Sequence, residues 1–205
     1  MSECSGGPTV RVVRVGYLVR RGGLVKRSSS TSSLVELGDH RIVVDTGASD
    51  ERVELVKAFE AMGVPLESVE AVVNTHLHHD HFGGNDLFAK AKVLAHERED
   101  PPLGTVRLSG ETTIYPGITV VPTPGHTTGS VTVFVEGRRR YAITGDAIPT
   151  RGNFEKHTPP SLHFDRNLAL RSMEAILGWA DVVVPGHDAL FEVLRRDNKA
   201  LKRND

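Results

Sequence analysis

The chain has 205 residues, 39% hydrophobic and 25% charged, which fits one soluble globular domain over 1–205 with frayed ends at about 1–8 and 197–205. A net charge of −1 lacks the basic excess of a dedicated nucleic-acid binder, and no apolar run approaches the ~20 residues of a membrane span. The single cysteine, Cys4, excludes a disulfide framework and a cysteine-based zinc site, and the start of the chain carries no secretory signal, so a cytoplasmic protein is expected.

In chain order, the valine-rich run Val10–Val19 predicts a strand, Gly22-Gly23 a turn, and Leu24 the start of the next strand. Ser28–Ser33 resembles low complexity but leads straight into Leu34–Leu37. It reads as part of a strand whose small hydroxyl side chains fit where bulk does not. Leu34–Leu37 and Arg41–Asp45 flank the hairpin signal Gly38-Asp39-His40. Ser49 or Asp50 can cap a helix with Val53, Val56, Phe59 and Met62 at helical spacing, stopped by Gly63 and Pro65. A short buried strand is expected at Glu70–Thr75, a helix at Gly84–Ala91 and a strand at Lys92–Ala95. Strands follow at Ile118–Thr123, Ser130–Glu136 and Tyr141–Thr144, then a helix at Asn167–Leu177 and a buried strand at Asp181–Val184. Ala189–Leu194 is expected to open a terminal helix. This order predicts two packed sheets with helices outside them, not an alternating parallel sheet.

Ten histidines are the composition's outlying count. His76-Leu77-His78-His79-Asp80-His81 follows the buried strand Glu70–Thr75 and is followed by Gly83-Gly84. Imidazole and carboxylate are ligands of zinc and similar metals, and a turn can aim them at a common point. Three further segments share one context, a short apolar strand ending beside a glycine: Gly125-His126, Gly145-Asp146 and Gly186-His187. His76, His78, Asp80, His81, His126, Asp146 and His187 are too many ligands for one four-coordinate zinc. They suit two metals sharing a bridging carboxylate.

In these motifs, and from Val43-Val44-Asp45-Thr46-Gly47 through His187, the chain resembles the metallo-β-lactamase-fold superfamily of metal-dependent hydrolases. The resemblance implies an α/β (α+β) fold, a four-layer αββα sandwich of two mostly antiparallel sheets with outer helices. It implies two divalent ions, zinc foremost, with manganese or iron as alternatives. His76, His78 and His126 would hold one ion, Asp80, His81 and His187 the other, and Asp146 would bridge. Asp45 would stand behind the site. The aspartate at 146 argues against a true β-lactamase. Gly84–Phe88 and Trp179–His187 resemble the group around metallo-β-lactamase domain-containing protein 1, which implies a nuclease-like activity. A homodimer is common among small members of this fold.

The implied chemistry is activation of water for attack on carbonyl carbon or phosphorus, with Asp80 as catalytic orienter. His157 and His163, between Asp146 and His187, are the candidate proton donors. Arg20, Arg21, Lys26 and Arg27 around the Gly22-Gly23 turn form a basic hairpin suited to an anionic substrate, or simply a solvated one. The expected substrates are a small-molecule ester, lactone or thioester, or an RNA phosphodiester. The alternative is a persulfide dioxygenase-like oxidoreductase holding one iron through His76, His126 and Asp146.

Overall fold

The computed structural model describes residues 6–193, so the expectations placed on residues 1–5 and 194–205 lie outside them. The strands and helices run Thr9–Arg14 (β1), Tyr17–Arg21 (β2), Leu24–Ser29 (β3), Ser32–Leu37 (β4), His40–Val44 (β5), Arg52–Ala61 (α1), Ala71–Val73 (β6) and His79–Phe82 (α2). They continue with Lys92–His96 (β7), Val106–Leu108 (β8), Thr112–Tyr115 (β9), Ile118–Pro122 (β10), Val131–Glu136 (β11) and Arg140–Gly145 (β12). Arg151–Glu155 (α3), Arg166–Trp179 (α4), Val182–Pro185 (β13) and Phe191–Glu192 (β14) complete them.

Two six-stranded sheets form, β1-β4-β5-β6-β7-β8 and β14-β13-β12-β11-β10-β9, with β2-β3 as a separate ribbon. The layers follow from side-chain alternation along each strand. Val35, Ile42, Val44, Ala71 and Val73 of the first sheet meet Val120, Val133, Ile143 and Val184 of the second in the central core. Their neighbours point the other way. Leu34, Val43 and Val72 pack against Leu55 and Phe59 of α1, and Ala142 and Val183 against Met173 and Ile176 of α4. The result is the expected αββα sandwich. Antiparallel pairing dominates the second sheet, whereas β5, β6, β7 and β8 of the first run parallel.

Several expected elements differ in detail. The Val10–Val19 strand is broken at Gly16, where a Cβ would lie 2.4 Å from the Thr31 nitrogen. Neither Ser49 nor Asp50 caps α1; a 3-10 turn over Ser49–Glu51 precedes it, Val53 faces solvent, and Leu55 takes the inner position. Gly84–Ala91 is no helix but a 3-10 turn at Asn85–Leu87, because Thr46 and Asn74 hold the Asn85 side chain and Phe88 turns into the α1 layer. After His187 the chain adds β14 to the sheet edge instead of opening a helix.

The sequence pattern of the site follows from this topology. β5 and β6 in one sheet, and β10, β12 and β13 in the other, all end at the same edge of the sandwich. Loops leaving those ends can therefore meet.

Phe59 is fully buried and packs edge-on against Phe88 at 5.3 Å. Phe59→Ala is expected to cost about 3–5 kcal/mol of stability, read as a lowered urea midpoint with unchanged m-value.

Candidate metal centre

Five loops converge at that edge. The loop after β6 brings His76, His78, Asp80 and His81; the loop after β10 brings His126; Asp146 follows β12 and His187 follows β13. Asp45, after β5, lies behind them. Three ligand groups form: His76, His78 and His126; His76, His81 and Asp146; and Asp80, His81 and His187, with the donor atoms of each group within 4.8 Å of one another. His76 and His81 are fully buried, and His126 and His187 nearly so.

The outer nitrogens of three of the rings, His81, His187 and His126, have fixed partners. His81 Nδ1 donates to Asp45 Oδ2 at 2.7 Å. His187 Nδ1 donates to the Ser29 carbonyl at 3.0 Å, and His126 Nδ1 to the Leu162 carbonyl at 2.7 Å. A carbonyl can only accept, so the tautomers of His126 and His187 follow from their partners. Each neutral ring then turns an unprotonated Nε2 inward. His81 Nε2 and His187 Nε2 face each other at 3.3 Å, and Asp146 Oδ1 lies 3.1 Å from the latter. That carboxylate oxygen is buried and accepts no hydrogen bond among the described residues. Electron pairs facing electron pairs in a buried site require a cation between them. This donor set of imidazoles and carboxylates fits a divalent metal.

The electrostatics agree. Burial opposes charge on His81, yet Asp45, by charge and hydrogen bond, with Asp146 and Asp80 lifts its pKa from 6.5 to about 9. With no metal bound, a proton takes the cation's place. His76 is driven well below 6.5, first by burial and then by His81. His78 is lowered by burial and by the neighbouring His126 and His81. Burial favours neutral Asp146, but His187, His81 and His126 together hold it well below the usual carboxylate range. Asp80 is likewise desolvated, and His81, a Ser28 hydrogen bond and His187 bring it below its ordinary value.

The surrounding chain locks the loops. Asp45, at φ 55°, also accepts from Thr75 N at 2.8 Å and Thr75 Oγ1 at 2.7 Å. The serine-rich segment, read from sequence as tolerant strand, is the joint of the site. Ser30 N donates to the Asp80 carbonyl, Thr31 N to the Gly186 carbonyl, and the Ser29 and Ser30 hydroxyls accept from Ala48 N and Gly47 N. The partner of Thr31 N is tightly packed: a Cβ on Gly186 would sit 2.3 Å from Asp146 Oδ1. Sequence reasoning missed Glu99. Its carboxylate accepts from Leu77 N at 2.9 Å, Thr127 Oγ1 at 2.6 Å and Gly129 N at 2.9 Å, and so ties the His76–His78 loop to the His126 loop. No motif marks it, because its partners, two backbone N–H groups and a threonine hydroxyl, are far away in sequence.

Beside this cluster lies a cavity of about 350 Å³, walled by Leu18, Val25, Pro149, Pro160 and Leu162 and floored by His78, Asp80, His126, Asp146 and His187. Of the four hairpin cations, Arg20 alone lines it. Arg21 and Lys26 are exposed elsewhere, and Arg27 pairs with Asp50 and Glu51. Neither expected proton donor reaches the cavity wall. His157 is exposed and lies 3.3 Å from Glu174, and His163 points its Nδ1–H at the Pro160 carbonyl.

The family model of the metallo-beta-lactamase superfamily matches residues 25–107 and 98–187. The chain belongs to the metallo-beta-lactamase superfamily. Within the superfamily it is 31% identical to a Methanocaldococcus jannaschii protein named as a probable metallo-hydrolase, over 88% of this chain and 87% of that one. It is 30% identical to metallo-beta-lactamase domain-containing protein 1 of Xenopus laevis, over 97% and 88% respectively. A Bacillus N-acyl homoserine lactonase is 28% identical over 67% of this chain and 63% of its own. The fold is shared with a solved B. thuringiensis AiiA variant carrying N-decanoyl-L-homoserine at its active site: TM-score 0.69, 22% identity, 89% of this chain and 93% of that chain. No helix among the described residues is long and apolar enough to cross a membrane.

Asp45→Asn keeps the side chain's shape and the oxygen that accepts from Thr75 N, but puts an NH2 where Oδ2 accepts from Thr75 Oγ1 and His81 Nδ1, two buried donors. It is expected to cost about 1–3 kcal/mol per donor left unpaired, measured by urea unfolding of the metal-free protein.

Proposed function

We propose that this metallo-beta-lactamase superfamily member is a dinuclear metal hydrolase that opens an ester, thioester or lactone bond. The observation that carries the reading is the convergence of inward-turned imidazole nitrogens with the buried, unpaired Asp146 oxygen. His76, His78 and His126 would hold one ion, Asp80, His81 and His187 the second, and Asp146 would lie between them. Zinc suits this set best, and manganese or iron share its preferences. When bound, the metals supply Lewis acidity and lower the pKa of water towards ~7.

The chain's own groups do the rest. Asp80 lines the cavity as a carboxylate, able to accept a hydrogen bond from the attacking water, take its proton and return it to the departing oxygen or sulfur. Asp45, the Ser29 carbonyl and the Leu162 carbonyl hold the imidazoles in their tautomers throughout. The walls of Leu18, Val25, Pro149, Pro160 and Leu162 match an acyl arm better than a polyanion. The similarity to lactonases supports the same choice. A phosphodiester, ribonuclease-like substrate is the second reading, favoured by Arg20 at the cavity wall and by the likeness to metallo-beta-lactamase domain-containing protein 1.

The test is turnover by metal-reconstituted protein on an acyl lactone, a thioester, an aryl ester, bis(p-nitrophenyl) phosphate and an RNA oligonucleotide. We expect hydrolysis of acyl substrates, and a fall of at least ~100-fold in Asp146→Ala. Cleavage of the phosphodiesters alone would overturn the acyl reading.

A further inference from the structure

The hairpin that overhangs the cavity sorts its charges by register. Leu18 pairs with Ser28 and Arg20 with Val25, and all four line the cavity. Between Val19 and Arg20 the register shifts, so that Val19 pairs with Arg27 and Lys26 is left without a partner in the ladder. Such a bulge re-aims the side chains that follow it. Here it puts Val25, and not Lys26, opposite Arg20, which faces the cavity by simple alternation with Leu18; Arg27 lies on the other face, its guanidinium 5.7 Å from the Tyr17 ring centroid. The root of the hairpin is fixed there. Glu51, almost buried, takes Arg14, Arg27 at 2.6 Å and the Tyr17 hydroxyl at 2.7 Å.

Across the cavity mouth the hairpin is tied by a hydrogen bond: Arg20 donates to Ser161 Oγ at 3.1 Å. That bond uses one of five guanidinium donors, and the others are enough for a two-pronged bond to a carboxylate. The cavity's acids, Asp80 and Asp146, belong to the histidine cluster, and Arg20 is the one arginine lining the cavity. Leu162, 67% exposed, and Val25, 47% exposed, continue the apolar walls to the mouth.

We propose that the substrate is an ω-carboxyacyl compound and that Arg20 is the residue that selects it. This rests on the acyl-hydrolase reading above. The scissile carbonyl lies at the histidine floor, the methylene arm lies along Leu18, Val25 and Leu162, and the terminal carboxylate pairs with Arg20. In the thioester case, the oxygen of water bonds to the carbonyl carbon, the carbon–sulfur bond breaks, and the thiol leaves with a proton from that water. The products are a dicarboxylic acid and a free thiol, with no redox change. One cation suits one carboxylate; a phosphodiester chain needs several, and the other three of this hairpin do not line the cavity.

The decisive experiment compares glutaryl and pentanoyl thioesters of one thiol, which differ only in the terminal carboxylate, on the two-metal protein. The readout is thiol release. We expect kcat/KM to favour the glutaryl compound by roughly ten- to a hundred-fold. Arg20→Gln should collapse that ratio towards one, chiefly through KM for the glutaryl compound, and Arg20→Lys should restore part of it. Ser161→Ala, which removes only the latch, should keep the preference. A wild-type ratio near one, an Arg20→Gln variant that slows both thioesters equally, or a Ser161→Ala variant that also loses the preference would overturn the proposal and leave the acyl-hydrolase reading standing. Turnover of neither thioester, nor of any lactone or ester, would overturn that reading and this proposal together. RNA cleavage lost in Arg20→Gln would do the same.

Discussion

The site depends on one constraint: imidazole rings whose outer nitrogens are already committed. Ser29 and Leu162 supply carbonyls and Asp45 a carboxylate, and each fixes which nitrogen of its partner ring faces inward. What results is a buried set of inward nitrogens short of protons, next to an Asp146 oxygen that also lacks a donor. Such a cluster is costly without a cation. The same outer partners that make it costly raise the basicity of the rings and thus their affinity for metal. The elevated pKa of His81, about 9, is the protonic counterpart of that affinity.

The fold exists in a form that makes this convergence cheap. Parallel β5 and β6 and the second sheet's β10, β12 and β13 all end at one edge, so no loop must travel far to reach the centre. The loops are then tied to each other rather than to the sheets alone. The Ser29–Thr31 link joins the Gly47, Asp80 and His187 loops, and Glu99 joins the His76–His78 and His126 loops. Rigid support of this kind holds ligands in place before any metal arrives.

Much of the convergence was legible in the sequence because the clustered residues are either contiguous, as in His76–His81, or share a strand-end glycine, as at His126, Asp146 and His187. Close backbone approach demands those glycines, and Gly186 against Asp146 is the clearest case. The sandwich was legible from the order of short apolar strands. What was not legible depends on groups without sequence signatures. The carbonyls of Ser29 and Leu162 are backbone atoms, and Glu99 acts through two backbone N–H groups and a threonine hydroxyl. The Gly84–Ala91 pattern reads as a helix until Thr46 and Asn74, distant in sequence, claim Asn85. The basic hairpin reads as one patch, but strand alternation, with a bulge that leaves Lys26 out of the ladder, puts only Arg20 of its four cations on the cavity. The loop carrying His157 and His163 does reach the cavity, but with Pro160, Ser161 and Leu162.

The central claim is that this chain holds two metals in one bridged site. Elemental analysis of protein purified without chelator and without added metal tests it most directly. The account predicts about two equivalents per chain, zinc foremost. A single equivalent of iron would contradict it and point to oxygen chemistry at His76, His126 and Asp146, and a protein that binds no metal even when supplied with zinc or manganese would contradict it outright.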